Sequence, residues 1–270
     1  MDMKQQNRVI STLKDRLMGE TEMPLASTVG LISATREESG IILRLLKRSR
    51  PEEFYSGKIG RNNIVHAISG MGKTNASHAA TLLIERFSPR IIINFGIGGA
   101  YPSSDLRVGD VAIADKEIYG DEGLWLKDGF HTVDSTGIPF LKKGRRKYFN
   151  EFPLDKNLVK KALEAIPPNP PLTKGGRGDF IIKSGAFVTI SASTGTNKRA
   201  KELEKRFNAI CENMEGAAIA HVCAMYGIPM LEVRGISNIV EDRDRSKWDI
   251  RTAAENCQKA VFVLLKEGRI

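Results

Sequence analysis

Apolar and small residues along the chain fall into two rhythms. In one, short unbroken apolar runs are bounded by glycine, proline or polar residues, as buried strands are. In the other they return every three to four positions, as on the buried face of a helix. Residues 29–33 are a run of the first kind, and Ile41, Ile42, Leu45 and Leu46 follow at helical spacing, which places Glu37 and Glu38 in the first turn of a helix. Residues 54–59 and 63–68 read as a hairpin turning at Gly60, Arg61 and Asn62. Ala76, Ala79, Ala80 and Leu83 predict the buried face of a second helix, and residues 91–95 a fully buried strand running into the glycine-rich loop 96–100. Another strand is expected at 108–114, whereas 119–153 show little periodicity.

The second half repeats the alternation. The pattern predicts a surface helix over 155–166, a strand over 180–190 and a charged helix over 196–207. Ala217, Ala218, Ala220, His221 and Ala224 recur at helical spacing, and their small size lets that helix lie close against a sheet. Residues 228–233 form a short apolar run read as a buried strand, and 252–265 carry one apolar stripe, a closing amphipathic helix. Alternating strands and helices predict one α/β domain over residues 28–270, with a mixed, largely parallel central sheet flanked by helices. Residues 1–27 read as an N-terminal extension, and 167–178, rich in proline and glycine, as a loop inserted within the domain.

Composition narrows the class of protein. The 270 residues are 41% hydrophobic and 27% charged, enough for a well-buried core. The net charge is +9. The basic residues are scattered, without an RNA-binding aromatic signature, so a small anionic substrate or solubility explains them and nucleic acid is not expected. Cys211, Cys223 and Cys257 show no Cys-x-x-Cys spacing and read as reduced core thiols of a cytosolic protein. The apolar runs are too short to span a membrane, and the N-terminal stretch lacks the apolar core of a signal peptide. The four histidines are dispersed; with no metal-ligand spacing, no metal and no cofactor are expected.

Two stretches carry candidate chemistry. Asn213, Met214, Glu215, Gly216, Ala217 and Ala218 open a helix, where the macrodipole favours a carboxylate at Glu215. Arg234, Gly235, Ile236, Ser237 and Asn238 follow the 228–233 strand, and strand ends of open α/β sheets are where ligands sit. Ser69 to Thr74 invites a P-loop reading that fails, because the glycine required five residues before Gly72 is Ala67.

Together these two stretches resemble the purine nucleosidase/phosphorylase superfamily, most closely its futalosine-hydrolysing branch, over roughly Val29 to the C-terminus. The resemblance implies a nucleoside phosphorylase-like fold and hydrolysis of an N-glycosidic bond. It assigns Glu38 to the attacking water, Glu215 to the ribose hydroxyls, Met214 to the underside of the sugar and Phe187 to stacking on the purine. Gly98 falls in the glycine run at the ribose or base, Arg234 and Ser237 in the second motif, and Asn238 handles the leaving base. The resemblance also implies a homodimer or larger homo-oligomer, with 119–153 over the substrate's 5′ side.

Position 238 departs from the adenine-specific members, which carry aspartate. A 6-oxopurine presents an acceptor at C6 that would repel a carboxylate, whereas an asparagine can donate to it and accept from N7–H. Asn238 therefore points to hypoxanthine or guanine, and futalosine, a hypoxanthine nucleoside with a benzoate on its 5′ side, fits. Arg61, Lys127 and Arg243 are candidates to meet that benzoate, and His131 a further candidate in the aperiodic region. Phosphate-dependent cleavage is the alternative, with Arg36 as the anion-binding residue; the carboxylates beside it disfavour phosphate. Cleavage of methylthioadenosine or adenosylhomocysteine is the other alternative.

Overall fold

The computed structural model describes residues 28–49, 54–166 and 180–267, so the 1–27 extension and the 167–178 insertion lie outside the described residues. The chain begins with β1 (Thr28–Ser33), the single-turn helix α1 (Gly40–Leu43) and the edge strand β2 (Lys47–Arg48). The hairpin β3 (Phe54–Ile59) and β4 (Asn62–Ile68) leads to α2 (Lys73–Phe87), β5 (Ile91–Ala100) and β6 (Val111–Tyr119). Short strands follow: β7 (Gly123–Leu126), β8 (Gly129–Thr132), β9 (Leu141–Lys143), β10 (Arg146–Tyr148) and β11 (Glu151–Pro153). Then come α3 (Lys156–Ala165), β12 (Ile182–Thr189), α4 (Asn197–Phe207) and β13 (Ala209–Asn213). The last elements are α5 (Gly216–Tyr226), β14 (Met230–Ile239) and α6 (Ile250–Glu267).

β1 is buried along its whole length and pairs in parallel with β4 and β5. Beyond β5 the sheet turns back on itself. β14 runs parallel to β5 and antiparallel to β6, β6 parallel to β12, β12 parallel to β13, and β13 antiparallel to β5. Those five strands therefore close a ring, and the mixed central sheet stays open only on the β1–β4 side. Alternating residues of β14 serve two cores. Met230 and Ile236 join Ala217, Ile219 and Leu83 under α5 and α2, while Leu231 and Val233 join Leu31, Ile93, Val261 and Leu264 under α6. α4 closes a third cluster through Leu203 and Phe207 against Val188 and Val240.

Several boundaries differ from those the pattern predicts. Glu38 stands in a turn before α1 rather than inside a helix, and the helix stops at Leu43, leaving Leu45 half exposed. The glycine stretch 96–100 is the continuation of β5, and 234–238 the continuation of β14, so both motifs lie within strands. The strand expected at 108–114 starts only at Val111, because Gly109, at φ +96°, turns the chain first. The aperiodic 119–153 region is built from two small hairpins, β7–β8 and β9–β10, and the edge strand β11. Strands of three or four residues are too short to show a period. Among the described residues, no helix is long and apolar enough to cross a membrane.

Candidate active site

The candidate residues converge where β1, β5, β14 and the start of α5 meet. In β14, Glu232 and Arg234 are two residues apart and so share a face, turned toward α5. Arg234 is only 1% exposed and spreads its guanidinium among three elements. Its Nε donates to Glu232 Oε1 at 2.9 Å, Nη1 to the Ile97 carbonyl at 3.1 Å and Nη2 to Glu215 Oε2 at 3.3 Å. Burial works against the Arg234 charge, but Glu232, Glu215 and Glu38 together hold its pKa above the ordinary value. Removing one member of such a buried set typically costs about 3–5 kcal/mol, because it strands an uncompensated charge.

Glu215 occupies the N-cap position of α5 without capping it. Its Oε1 instead accepts from the backbone N–H of Gly72, at the start of α2, at 3.0 Å. The helix start is supplied by Asn213, whose Oδ1 accepts from the N–H groups of Glu215 and Gly216. Helix-dipole complementarity alone therefore does not account for Glu215: the carboxylate is turned toward α2 and Arg234. Met214, half-buried, sits between Asn213 and Glu215.

Glu38 reaches the same place from the turn after β1. One oxygen accepts from Thr35 N at 2.8 Å and the other from Ile97 N at 2.9 Å. Burial pushes the Glu38 carboxyl above its usual range, against the pull of Arg234. The in-strand glycines make this crowding possible. A Cβ on Gly96 would stand 2.4 Å from Glu38 Oε1, and one on Gly98 would stand 2.6 Å from Cys211 Sγ. Both clashes are closer than packed atoms tolerate.

Ser237 lies where the β5–β14 register slips by one residue, between Ile236, which faces Gly98, and Asn238, which faces Gly99. Its Oγ is 2.8 Å from Asn238 Oδ1 and 3.2 Å from the Gly98 carbonyl. The half-buried Asn238 donates to the Ile239 carbonyl and lines a pocket of about 210 Å³ with Thr194, Arg243, Lys247 and Trp248. Glu212 fixes the Thr194 wall, accepting from Thr194 N at 3.0 Å and Oγ1 at 2.6 Å.

The structure thus brings together Glu38, Gly98, Glu215, Arg234, Ser237 and Asn238. Phe187 is in β12, wholly buried in the core shared with α5, opposite Cys211 of β13. Of the three basic candidates, Arg243 lines the pocket beside Asn238, its guanidinium 4.9 Å from the Trp248 ring. Arg61 is in the β3–β4 turn, and Lys127 in the β7–β8 turn. His131 is in β8 and pairs with Asp128 at 2.9 Å, apart from the Arg234 cluster. Arg36 is exposed and hydrogen-bonded to Tyr55, on whose ring its guanidinium stacks. The sequence reading passed over Glu232 and Glu117. A glutamate inside the apolar run 228–233, two positions before an arginine, was the available signal for the first; nothing in the sequence marked the second.

A family model described as the phosphorylase superfamily matches residues 28–267. Among curated relatives, a futalosine hydrolase from Thermus thermophilus is 30% identical over 238 residues, covering 88% of this chain and 95% of its own. A 5′-methylthioadenosine/S-adenosylhomocysteine nucleosidase from Halalkalibacterium halodurans is 32% identical over 252 residues, 90% of this chain and 98% of its own. Among solved structures, the native futalosine hydrolase of Helicobacter pylori superposes with a TM-score of 0.73 at 20% identity, over 91% of this chain and all of the other. The corresponding nucleosidase of Neisseria meningitidis, in complex with methylthio-immucillin-A, gives 0.72 at 24% identity, over 89% of this chain and 99% of its own. At these identities the structural matches speak for the fold.

Proposed function

The chain belongs to the phosphorylase superfamily, and on that premise we propose that it is a nucleosidase that hydrolyses the N-glycosidic bond of a purine nucleoside. The observation that carries this reading is the pair of buried carboxylates, Glu38 and Glu215, held on either side of one arginine. Each carboxylate oxygen is held by a single donor, which leaves lone pairs for water and for hydroxyl groups. Glu38 orients the water and takes its proton as the oxygen bonds to the anomeric carbon. Glu215 accepts from the ribose hydroxyls while the sugar carries oxocarbenium character. The bond to the purine breaks with its electron pair going to the base, which leaves after taking up a proton from solvent at N7. Met214 lies against the sugar and Phe187 against the base; these two roles rest on the family likeness.

The substrate class follows from Asn238. Its amide donates to a 6-oxo group and accepts from the N7–H that forms in the leaving base, which favours a hypoxanthine nucleoside, futalosine above all. The similarity to a futalosine hydrolase at 30% identity supports this. A second reading, cleavage of 5′-methylthioadenosine or S-adenosylhomocysteine, is favoured by the names of several other relatives. Phosphorolysis is disfavoured because the carboxylates of Glu37 and Glu38 follow Arg36 in the same turn and repel a phosphate dianion.

The test is chromatography of futalosine, inosine, adenosine and methylthioadenosine after incubation with the pure protein, with and without phosphate. Hypoxanthine released from futalosine without phosphate, faster than from inosine, is the expected result. Adenine as the main product would overturn the role of Asn238, and strict phosphate dependence would overturn hydrolysis.

A further inference from the structure

Four carboxyl groups surround Arg234, and two of them are sealed behind it. Glu232 and Glu117 are both 0% exposed. Glu117 comes from β6, Glu232 from β14, and both side chains run under Gly216 at the start of α5. A Cβ on Gly216 would stand 2.2 Å from Glu117 Oε1 and 2.4 Å from Glu232 Oε2, so the two oxygens converge on the space its missing side chain leaves.

Their hydrogen bonds show how they coexist. Glu232 Oε1 accepts from Arg234 Nε at 2.9 Å and from Asn94 Nδ2 at 3.0 Å. Glu117 Oε1 accepts from Asn213 Nδ2 at 2.8 Å, and Oε2 from Thr189 Oγ1 at 2.7 Å. Among the described residues, Glu232 Oε2 is buried with no N–H or hydroxyl donor. The group among them placed to serve it is the facing carboxyl of Glu117, and only when that carboxyl carries a proton. Two ionised carboxylates in contact, away from water, repel too strongly to persist.

We propose that Glu117 and Glu232 share one proton and act together as a singly charged clamp behind Arg234, making both of them positioning residues for the active site. With Nε fixed to Glu232, the guanidinium plane is set, and its remaining nitrogens face Ile97 and Glu215. The shared proton also leaves one negative charge behind the arginine instead of two. This inference rests on the nucleosidase reading for its catalytic consequence, but not for the shared proton itself.

The groups facing the pair are few. Arg234 stands beside it on β14, Glu215 at the start of α5, and Glu38 across the guanidinium. Cys211 of β13 and Cys223 of α5 are the neighbouring thiols and Tyr119 of β6 the neighbouring hydroxyl, and burial raises all three. Burial and Glu232 likewise push the Glu117 carboxyl well above the usual carboxylate range.

Glu232→Gln and Glu117→Gln test this. Glu232→Gln keeps Oε1 for Arg234 and Asn94 and turns an amide N–H toward Glu117, which then ionises. The hydrogen bonds persist while the charge moves one side chain away from the arginine. Infrared difference spectra at neutral pH should show a protonated-carboxyl C=O band in the wild type that disappears in each single variant, since either change abolishes the need for a shared proton. The acid limb of the kcat/KM profile should move to lower pH in Glu232→Gln, because a less neutralised Arg234 keeps Glu38 ionised. Glu232→Val, which removes the clamp, should lower kcat by about ten- to a hundredfold with a smaller change in KM. A carboxyl band untouched by both glutamine variants would overturn the shared proton. An acid limb that stays in place in Glu232→Gln would overturn the positioning role. If the wild type hydrolyses no nucleoside, the proposed function fails, and the infrared comparison still decides the pair.

Discussion

As the proposed base, Glu38 has to hold a negative charge where water hardly reaches, and burial lifts its pKa above that of an ordinary glutamate. A base whose pKa is raised loses its working form as the pH falls through that higher value. The acid limb of kcat/KM is therefore expected above the usual glutamate range, and should be absent from the residual activity of Glu38→Gln. That variant is expected to lose about 10²- to 10⁴-fold in kcat, with KM within a few-fold of wild type, as measured by steady-state hydrolysis. In the proposed reaction Asn238 acts on the other reactant. An unpaired polar contact in a closed site costs about 1–3 kcal/mol, so Asn238→Asp should shift the ratio of 6-oxo to 6-amino nucleoside turnover by about ten- to a hundredfold toward the amino base. Competition between inosine and adenosine measures it, and an unchanged ratio would remove Asn238 from base recognition.

At the scale of elements, β5 and β14 carry the site because they pair over their full length and glycine keeps β5 thin there. Gly96→Ala would place a methyl group 2.4 Å from Glu38 Oε1 and 2.9 Å from its Cδ. Overpacking of this kind costs about 1–3 kcal/mol. The strain falls on the carboxylate, so activity should drop by more than tenfold while the melting temperature falls by only a few degrees. Assay and calorimetry together check it; an equal loss in both would mean that the strand itself, rather than Glu38, had moved. The alternation of strands with helices was legible because long buried elements impose their period on the sequence. Glu215, Arg234, Ser237 and Asn238 stood out as candidates through the two motif stretches, and Glu38 only through the family resemblance. The ring of five strands was not, since its closure depends on pairings between residues as distant as Gly99 and Glu212. The crowding around the glycines of 96–100 was hidden for a related reason: they make room for side chains from the turn after β1, from β13 and from β14, and a linear pattern does not show that. Glu117 stayed hidden because its partner is 115 positions away in the chain.

For the whole molecule, the buried ionisable groups pull stability in opposite directions with pH. His66, wholly buried with Nε2 on Ser33 Oγ, has its pKa lowered to about 3 by burial. The unfolded chain binds the extra proton below the ordinary value of 6.5, so this residue's contribution to stability is lost as the pH falls from 6.5 toward 3. Each pH unit in that window costs about 1.4 kcal/mol. The raised carboxyls, Glu38, Glu117, Glu212 and Glu232, have the opposite sign: the folded chain binds more protons above 4.5, so their burial weighs more against folding as the pH rises. His66→Phe should flatten the fall in melting temperature between pH 6.5 and 4 while leaving the neutral side of the curve in place. An unaltered acid slope would mean that His66 is charged in the folded chain. Over the same architecture, residue 238 is tethered lightly. Among the described residues, its amide bonds to Ser237 and Ile239, its neighbours in sequence, whereas Glu215 and Arg234 are tied across three elements. An asparagine codon becomes an aspartate codon by one nucleotide change. With position 238 reading the base as proposed, a lineage can exchange one purine for another in a single step, without passing through an inactive ancestor, so descent and diet need not agree among these proteins.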